Sequence, residues 1–580
     1  MKKRIFYICS LLLVVYSCQR GESDNQLNVY IRNKPFGINP SVTTNFYQER
    51  LVKQIFEGLY DYHYLKDPYE VMPLIAEDLP QIRDNGLTYI IRLKKDVKFS
   101  DDPCFVNSGG TGRYVTAKDV VYSLKHYAAF PPYNKAYFVY YIKGLMEYRE
   151  KAQAVFKKGG DINRFVAHQD VEGLRVLDDY TIGIRLRQRC PYFLETLTVA
   201  GASIIAREAV EHYGKEIDWH PVGTGPYMLA GWGNGEKITL VKNSNYRYDT
   251  SPSGEKIPFV DEINFYFIAD DKIRKEKFDK GELDIYTPEE DYFYEYFPTG
   301  KELADKYKKR GDNAYIDNNV EFTGLLFNMT DPLIGKNTNL RKAIALTFNN
   351  AKNLEVSYYM SQILAHWVIP PHVYGYDPSY VNPYSKYDIK EAEALLSKAG
   401  YPSGNKLPEL VLLLLTKEPV LKRIGEFFVD SASKSGLKIK MEFVDSQDEI
   451  KETLAKKDKK IHMFFVSEYS TFSTPEKMLR LFYKGHLSYK TNHSGYYNPK
   501  YERLFEQVVL LDNSSKKIEL INEMRDMVVN DCVFIPLSFT VLYRITHGYI
   551  KNYRPHLMSF DRYKYIRVDT KEKERYLKHI

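Results

Sequence analysis

Cysteine is scarce in this chain: five residues in 580, at positions 9, 18, 104, 190 and 532, with no CxxC pair. That spacing excludes a zinc ribbon or finger, a thioredoxin-type redox motif and a small fold held by a disulfide framework. Tryptophan is scarcer still, at three. There is no HExxH, no GxSxG and no GxxxxGK[ST], so the short signatures of zinc proteases, α/β-hydrolases and P-loop NTPases are missing. Beyond the leader no run approaches the roughly twenty apolar residues of a membrane span, and 411–415 is only of strand length. Long runs of one charge are lacking too. The net charge of +7, to which Lys2, Lys3 and Arg4 contribute three, leaves no electrostatic footprint for nucleic acid.

Two near-motifs fail on inspection. Gly223-Thr224-Gly225 has Met228 where a dinucleotide loop needs its third glycine. Ser431-Ala432-Ser433-Lys434 matches SxxK, but Ser23-Asp24-Asn25 lies upstream in a polar tether and no KTG exists, so a serine acylase has no support. The 13 histidines are scattered, none paired at metal spacing on one helix face; His366, His372 and His493 sit near loops, where a solvated or capping role is the default.

What is present is ordinary globular material, 44% hydrophobic and 27% charged, with 50 Tyr and 31 Phe. Much of the tyrosine richness is compositional, although tyrosines also suit wet binding surfaces. The N-terminus is a targeting segment. Basic residues 2–4 precede the apolar stretch 5–15, too short to span a membrane and right for a signal peptide. Val15-Tyr16-Ser17-Cys18 resembles a bacterial lipobox, with Tyr16 departing from the usual small residue. The expected arrangement is a signal peptide 1–17, Cys18 lipidated, and a tether 18–26. Cys104, Cys190 and Cys532 remain, either as one disulfide and a free thiol or as three buried thiols.

Periodicity predicts a strand at 27–31, a helix over 46–59, and strands at 87–93 and 181–186. Thr116 and Asp119 form a capping box ahead of a helix, and Asp388 with Glu391 forms another. Later, strands at 408–416, 437–444 and 461–466 alternate with helices at 418–435 and 446–457, which predicts βαβ units and a largely parallel sheet. The picture is at least two α/β lobes.

A series of short matches then falls in one order: Phe56-Glu57-Gly58-Leu59-Tyr60, Met72-Pro73-Leu74-Ile75-Ala76-Glu77, Asp84-Asn85-Gly86-Leu87-Thr88-Tyr89, Thr116-Ala117-Lys118-Asp119-Val120-Val121, Pro221-Val222-Gly223-Thr224-Gly225-Pro226-Tyr227 and Leu340-Arg341-Lys342-Ala343-Ile344. Over nearly its whole mature length the chain resembles the solute-binding lipoproteins of peptide-type ABC importers, extracellular solute-binding family 5. The resemblance implies an α/β, two-lobed periplasmic-binding-protein clamshell of type II. Its first lobe would be discontinuous, 27–318 with an extra subdomain at about 68–218, its second lobe 319–540, and the segment 541–580 would return to the first lobe. Gly223 and Gly225 are expected to be turn residues rather than catalytic ones.

The same resemblance implies a peptide or peptide-like solute in the interlobe cleft, delivery to an ABC permease and ATPase, and a monomer held at the outer face of the cell membrane or in the periplasm. It implies no catalysis, no cofactor or metal, and no nucleic-acid partner. Peptide-binding relatives place a Trp, two residues, then Asp and Tyr where this chain has Phe465, Glu468 and Tyr469, and that Asp grips the peptide amine. Asn492 and Tyr496, and Asn45, Phe46 and Tyr47 after the first strand, are the other expected ligand contacts. Binding of a non-peptide solute such as a nickel chelate, haem or sugar, and a surface lipoprotein serving adhesion or signalling, remain the alternatives.

Overall fold

Two long strands, far apart in sequence, organise the molecule. In the computed structural model, Asn313–Phe327 and Phe534–Thr546 run antiparallel to one another and take part in both halves of the structure. The structure describes residues 24–580 apart from 44, 45, 68, 131–136, 234, 248, 252, 358–361, 417, 418, 457–459, 485–491, 560, 561 and 580. The leader, Cys18 and Asn45 therefore lie outside the described residues. Phe46 and Tyr47 open the helix Phe46–Ile55, and their side chains lie outside them as well.

The pairing of the long strands breaks register between Asn318 and Phe322. On one side of the break Asn313–Asn318 face Thr546–Val541, and on the other Phe322–Leu326 face Phe539–Phe534. Such a break leaves backbone unpaired and lets a strand bend. It separates the stretch of the second long strand that pairs with Ile285–Tyr286 from the stretch of the first that pairs with Met463–Tyr469.

Before the break, the strands Gln26–Ile31, Glu262–Phe267, Lys237–Lys242 and Tyr227–Gly233 make a four-stranded sheet in that order, with a parallel first pair. A second four-stranded, antiparallel sheet, ordered Gln81–Arg83, Thr88–Arg92, Thr181–Arg185 and Leu174–Asp178, carries the helix Ala117–Ala129 over it. That helix starts at the Thr116/Asp119 box, whose two reciprocal bonds satisfy otherwise orphaned backbone donors. Beyond the break, Met463–Tyr469, Leu410–Leu415 and Ile439–Val444 extend the long pair on one side and Gln362–Leu364 joins the second long strand; with Ile285–Tyr286 paired to that strand before the break, the sheet has seven strands.

This sheet is mixed, not largely parallel. Only Leu410–Leu415 with its two neighbours is parallel; the long strands pair antiparallel with each other and with Met463–Tyr469. Both faces are covered: Phe464 packs into one apolar cluster and Phe465 into the other. The three described cysteines are all buried and free. Burial pushes each thiol up, Cys532 to about 12.

Candidate functional site

The lobes meet through the turn that follows Met463–Tyr469. Ser470 N–H donates to the Val320 carbonyl at the strand break, 2.8 Å, which aims the next residues at the first lobe. Phe472 packs against Tyr137 and Tyr192, with ring centroids 5.1 and 6.4 Å away. Ser473 donates to the Glu195 carboxylate through its backbone N–H at 2.8 Å and its hydroxyl at 3.1 Å, and Tyr62 Oη donates to the same oxygen at 2.6 Å. Burial raises Glu195 to about 7 in spite of these donors. A second bridge is His372, whose two ring nitrogens reach Asp67 at 3.1 Å and Asp317 at 3.0 Å. Far from being solvated, this imidazole is half-buried; burial lowers its pKa, and the two carboxylates outweigh burial and raise it.

These contacts enclose a cavity of about 490 Å³ between the lobes. That is the size of a small-molecule site. Tyr30, Glu49, Arg50, Tyr62 and Tyr137 come from the first lobe, Asn319 from the strand break, and Tyr469, Thr471 and Lys477 from the second lobe. Leu542 and Arg544, two apart on the second long strand, project from the same side of it.

Of the residues expected from sequence, Tyr469 stands in this wall, its hydroxyl donating to the Leu557 carbonyl at 3.5 Å. Glu468 is its neighbour on the strand and lies 3.7 Å from the Lys477 ammonium. Lys477 also donates to the Tyr469 carbonyl and, at 3.4 Å, to Thr471 Oγ1. Phe465 is not in the wall: it is 5% exposed and packs in the core of the second lobe, because a strand covered on both faces buries its side chains in both directions. Tyr496 is buried as well, its hydroxyl donating to Asp531 at 2.7 Å. Asn492 shapes a turn, accepting from Ser494 Oγ at 2.8 Å and Gly495 N–H at 3.1 Å. Neither lines the cavity. Ser431 of the SxxK match is buried and donates to the Thr347 carbonyl at 2.5 Å, a bond within the fold.

The Gly223-Thr224-Gly225 segment also has a structural task. A Cβ on Gly223 would lie 2.0 Å from the Ile55 carbonyl oxygen, and one on Gly225 2.6 Å from that of Gln54. The segment thus lies directly on the end of the first helix, where Gly225 N–H caps the Ile55 carbonyl at 2.8 Å.

Sequence reasoning missed a cluster of arginines. Arg50, Arg544 and Arg562 gather around the Tyr553 ring, with Arg544 Nη1 donating to its hydroxyl at 3.0 Å. Burial, then the neighbouring guanidiniums of Arg562 and Arg544, push Arg50 down to about 10. Burial raises the Tyr553 hydroxyl, but Arg544, Arg562 and Arg50 outweigh it and hold the group below its ordinary value. The one available signal was a single charged residue in the otherwise uncharged strand Phe534–Thr546.

Comparison with known proteins places this geometry. The chain is 25% identical over 570 residues to the oligopeptide-binding protein OppA of Bacillus subtilis, covering 93% of this chain and 94% of that protein. It is 22% identical over 520 residues to the glutathione-binding protein GsiB of Escherichia coli, covering 89% and 88%. Among solved structures it resembles HbpA2 from Haemophilus parasuis, with a TM-score of 0.75 at 20% identity over 94% of this chain and 100% of that one. It also resembles the periplasmic binding protein DppA from Helicobacter pylori in complex with the peptide STSA, with a TM-score of 0.69 at 20% identity over 94% and 98%. Residues 70–489 match the family described as Bacterial extracellular solute-binding proteins, family 5 Middle, and the chain belongs to that family.

Proposed function

We propose that this protein is the substrate-binding component of an ABC importer, holding a peptide or peptide-like solute between its lobes for delivery to a permease. The observation that carries this reading is the enclosed cavity of about 490 Å³, walled by both lobes and lying beside the strand break on which they can part. Closure by such a hinge is the motion by which periplasmic binding proteins enclose their ligands. It removes water, so main-chain hydrogen bonds to a solute count for more. The role is one of binding, without a catalysed step. The deciding experiment is mass spectrometry of whatever co-purifies from the native host. Short peptides are the expected result; a single chelate, haem or sugar would overturn it.

In this reading Glu468 receives the solute's amine. The amine takes over from Lys477, now 3.7 Å from the carboxylate. A charge-assisted contact contributes about 1.5–3 kcal/mol. Glu468→Gln should therefore weaken free-amine peptides roughly tenfold or more and leave their N-acetylated counterparts unchanged. Equal losses for both, measured by calorimetric titration, would remove Glu468 from that role.

Among the described residues no helix is long and apolar enough to cross a membrane. We place the anchor at Cys18, on the strength of the leader and lipobox-like sequence before it. One acyl chain alone holds weakly, and stable anchoring takes a second. Cys18→Ser should move the protein from the membrane pellet to the soluble fraction without detergent. If it stays with the membranes, the anchor lies elsewhere.

A further inference from the structure

The wall of the cleft carries more positive than negative charge. Arg32, Arg50, Lys477 and Arg544 line it against the single carboxylate of Glu49. Arg32 lies 2.7 Å from Glu289, and Lys477 lies 3.7 Å from Glu468. Glu49 is itself engaged, accepting from the Ala200 N–H at 3.1 Å. Arg544 is different. It is 5% exposed and faces the cavity, yet its hydrogen bond goes to the hydroxyl of Tyr553 rather than to a carboxylate. Behind it Arg562, 2% exposed, donates to the His556 carbonyl. Neither forms an ion pair with a carboxylate among the described residues.

A buried guanidinium without a counter-ion is costly, by several kcal/mol even after relaxation. Two of them beside Arg50 cost more, because like charges repel. Proteins hold such an arrangement where an anion arrives to complete it. A side cavity of about 20 Å³, bounded by Tyr30, Arg50, Arg544 and Arg562, adjoins the main one and has room for about one water or the tip of a carboxylate. The fork geometry of arginine matches a carboxylate through two parallel hydrogen bonds.

We propose that this cleft selects solutes carrying an acidic side chain, seating its carboxylate against Arg544 and Arg50 on the first lobe. The inference rests on the cleft being the solute site. It adds a chemical class: acidic peptide-like solutes over neutral ones of the same shape. Lys477, with Glu468 3.7 Å behind it, comes from the second lobe, so amine and acidic side chain would be gripped by different lobes and each would help to hold the clamshell shut.

The test uses the full mature protein and two matched pairs of probes. The peptides Ala-Glu-Ala and Ala-Gln-Ala, each also as the C-terminal amide, separate a side-chain carboxylate from a terminal one. Glutarate and glutaramide make the same comparison without a peptide. Ala-Glu-Ala should bind about ten- to a hundredfold tighter than Ala-Gln-Ala, with or without the terminal amide. Arg544→Met should abolish that preference. Arg544→Lys should keep part of the preference. Equal affinity within both pairs overturns the proposal and leaves peptide transport standing. Preference for glutarate with no peptide binding supports the anion site and overturns the peptide reading. A preference lost only on C-terminal amidation, or one that survives Arg544→Met, also overturns it.

Discussion

Replacing Arg247 by methionine should destabilise the first lobe by about 3–5 kcal/mol, a fall of roughly 10 °C in its melting temperature. Arg247 forks onto Glu57, Nη1 to Oε2 at 2.7 Å and Nη2 to Oε1 at 2.8 Å, and both side chains are almost wholly buried, at 3% and 1% exposure. It also reaches Asp249 at 3.0 and 3.1 Å. Methionine would leave the Glu57 carboxylate buried with the Thr224 hydroxyl, now at 3.0 Å, as its remaining side-chain donor. The penalty comes from stranding one charge rather than from the worth of the pair. The double variant Glu57→Gln/Arg247→Met should therefore regain most of the loss. Thermal unfolding followed by calorimetry gives both numbers, with each lobe's transition read separately because a two-lobed protein need not melt in one step. A double variant as unstable as the single one would refute the stranded-charge account.

That network also explains why the sequence motifs could be read as they were. Glu57 of the Phe-Glu-Gly-Leu-Tyr match and Thr224 of the Gly-Thr-Gly match meet in space, and both serve the fold. Local signals were legible wherever their physics is local. The Thr116/Asp119 box caps its helix, and the Asp388 side chain accepts from Glu391 N–H at 3.0 Å. The strands expected at 408–416 and 437–444 are Leu410–Leu415 and Ile439–Val444. The helix expected over 46–59 ends at Ile55, because Gly223 and Gly225 press on its last turn and Glu57 turns away to Arg247.

What failed was non-local. The alternation of strands and helices predicts the parallel pairing of Leu410–Leu415 with Ile439–Val444 and Met463–Tyr469, which is present, but is blind to the orientation of a partner over two hundred residues away, so the antiparallel long strands make the sheet mixed where a largely parallel one was expected. Phe465 and Tyr496 are apolar bodies in a doubly covered lobe, and spacing alone does not separate a core face from a cleft face. Arg50, Arg544 and Arg562 come from three distant segments and carry no common spacing at all.

The second large effect concerns closure, which should be favoured by acid. With the lobes together the Glu195 carboxyl is held at about 7, burial being the main cause; with the cleft open and the group in water it returns to the usual value near 4.5. The closed form therefore binds one more proton than the open form between those two values. A carboxyl raised in this way leaves closure unhindered below pH 4.5. The penalty grows as pH rises through the interval and is complete above about 7. The difference corresponds to about 3 kcal/mol, roughly a hundredfold in the closing equilibrium. His372 acts with the same sign. Its raised pKa, set by burial against the stronger pull of Asp317 and Asp67, makes its contribution full at low pH and lost as pH rises through the raised value. Glu476 also faces Glu195 and raises it, but Glu476 is itself paired with Lys517 at 2.6 Å. A fluorophore on each lobe would report closure by energy transfer between pH 5 and 7, where the termini of a bound peptide do not titrate. The closed fraction should fall steeply across that range. Glu195→Gln keeps a carbonyl for the Tyr62 and Ser473 donors without an ionisable proton, so it should flatten most of the slope and leave the part due to His372. A wild-type profile without slope, or a slope unchanged in Glu195→Gln, would mean that the Ser473 contact does not govern how the lobes close.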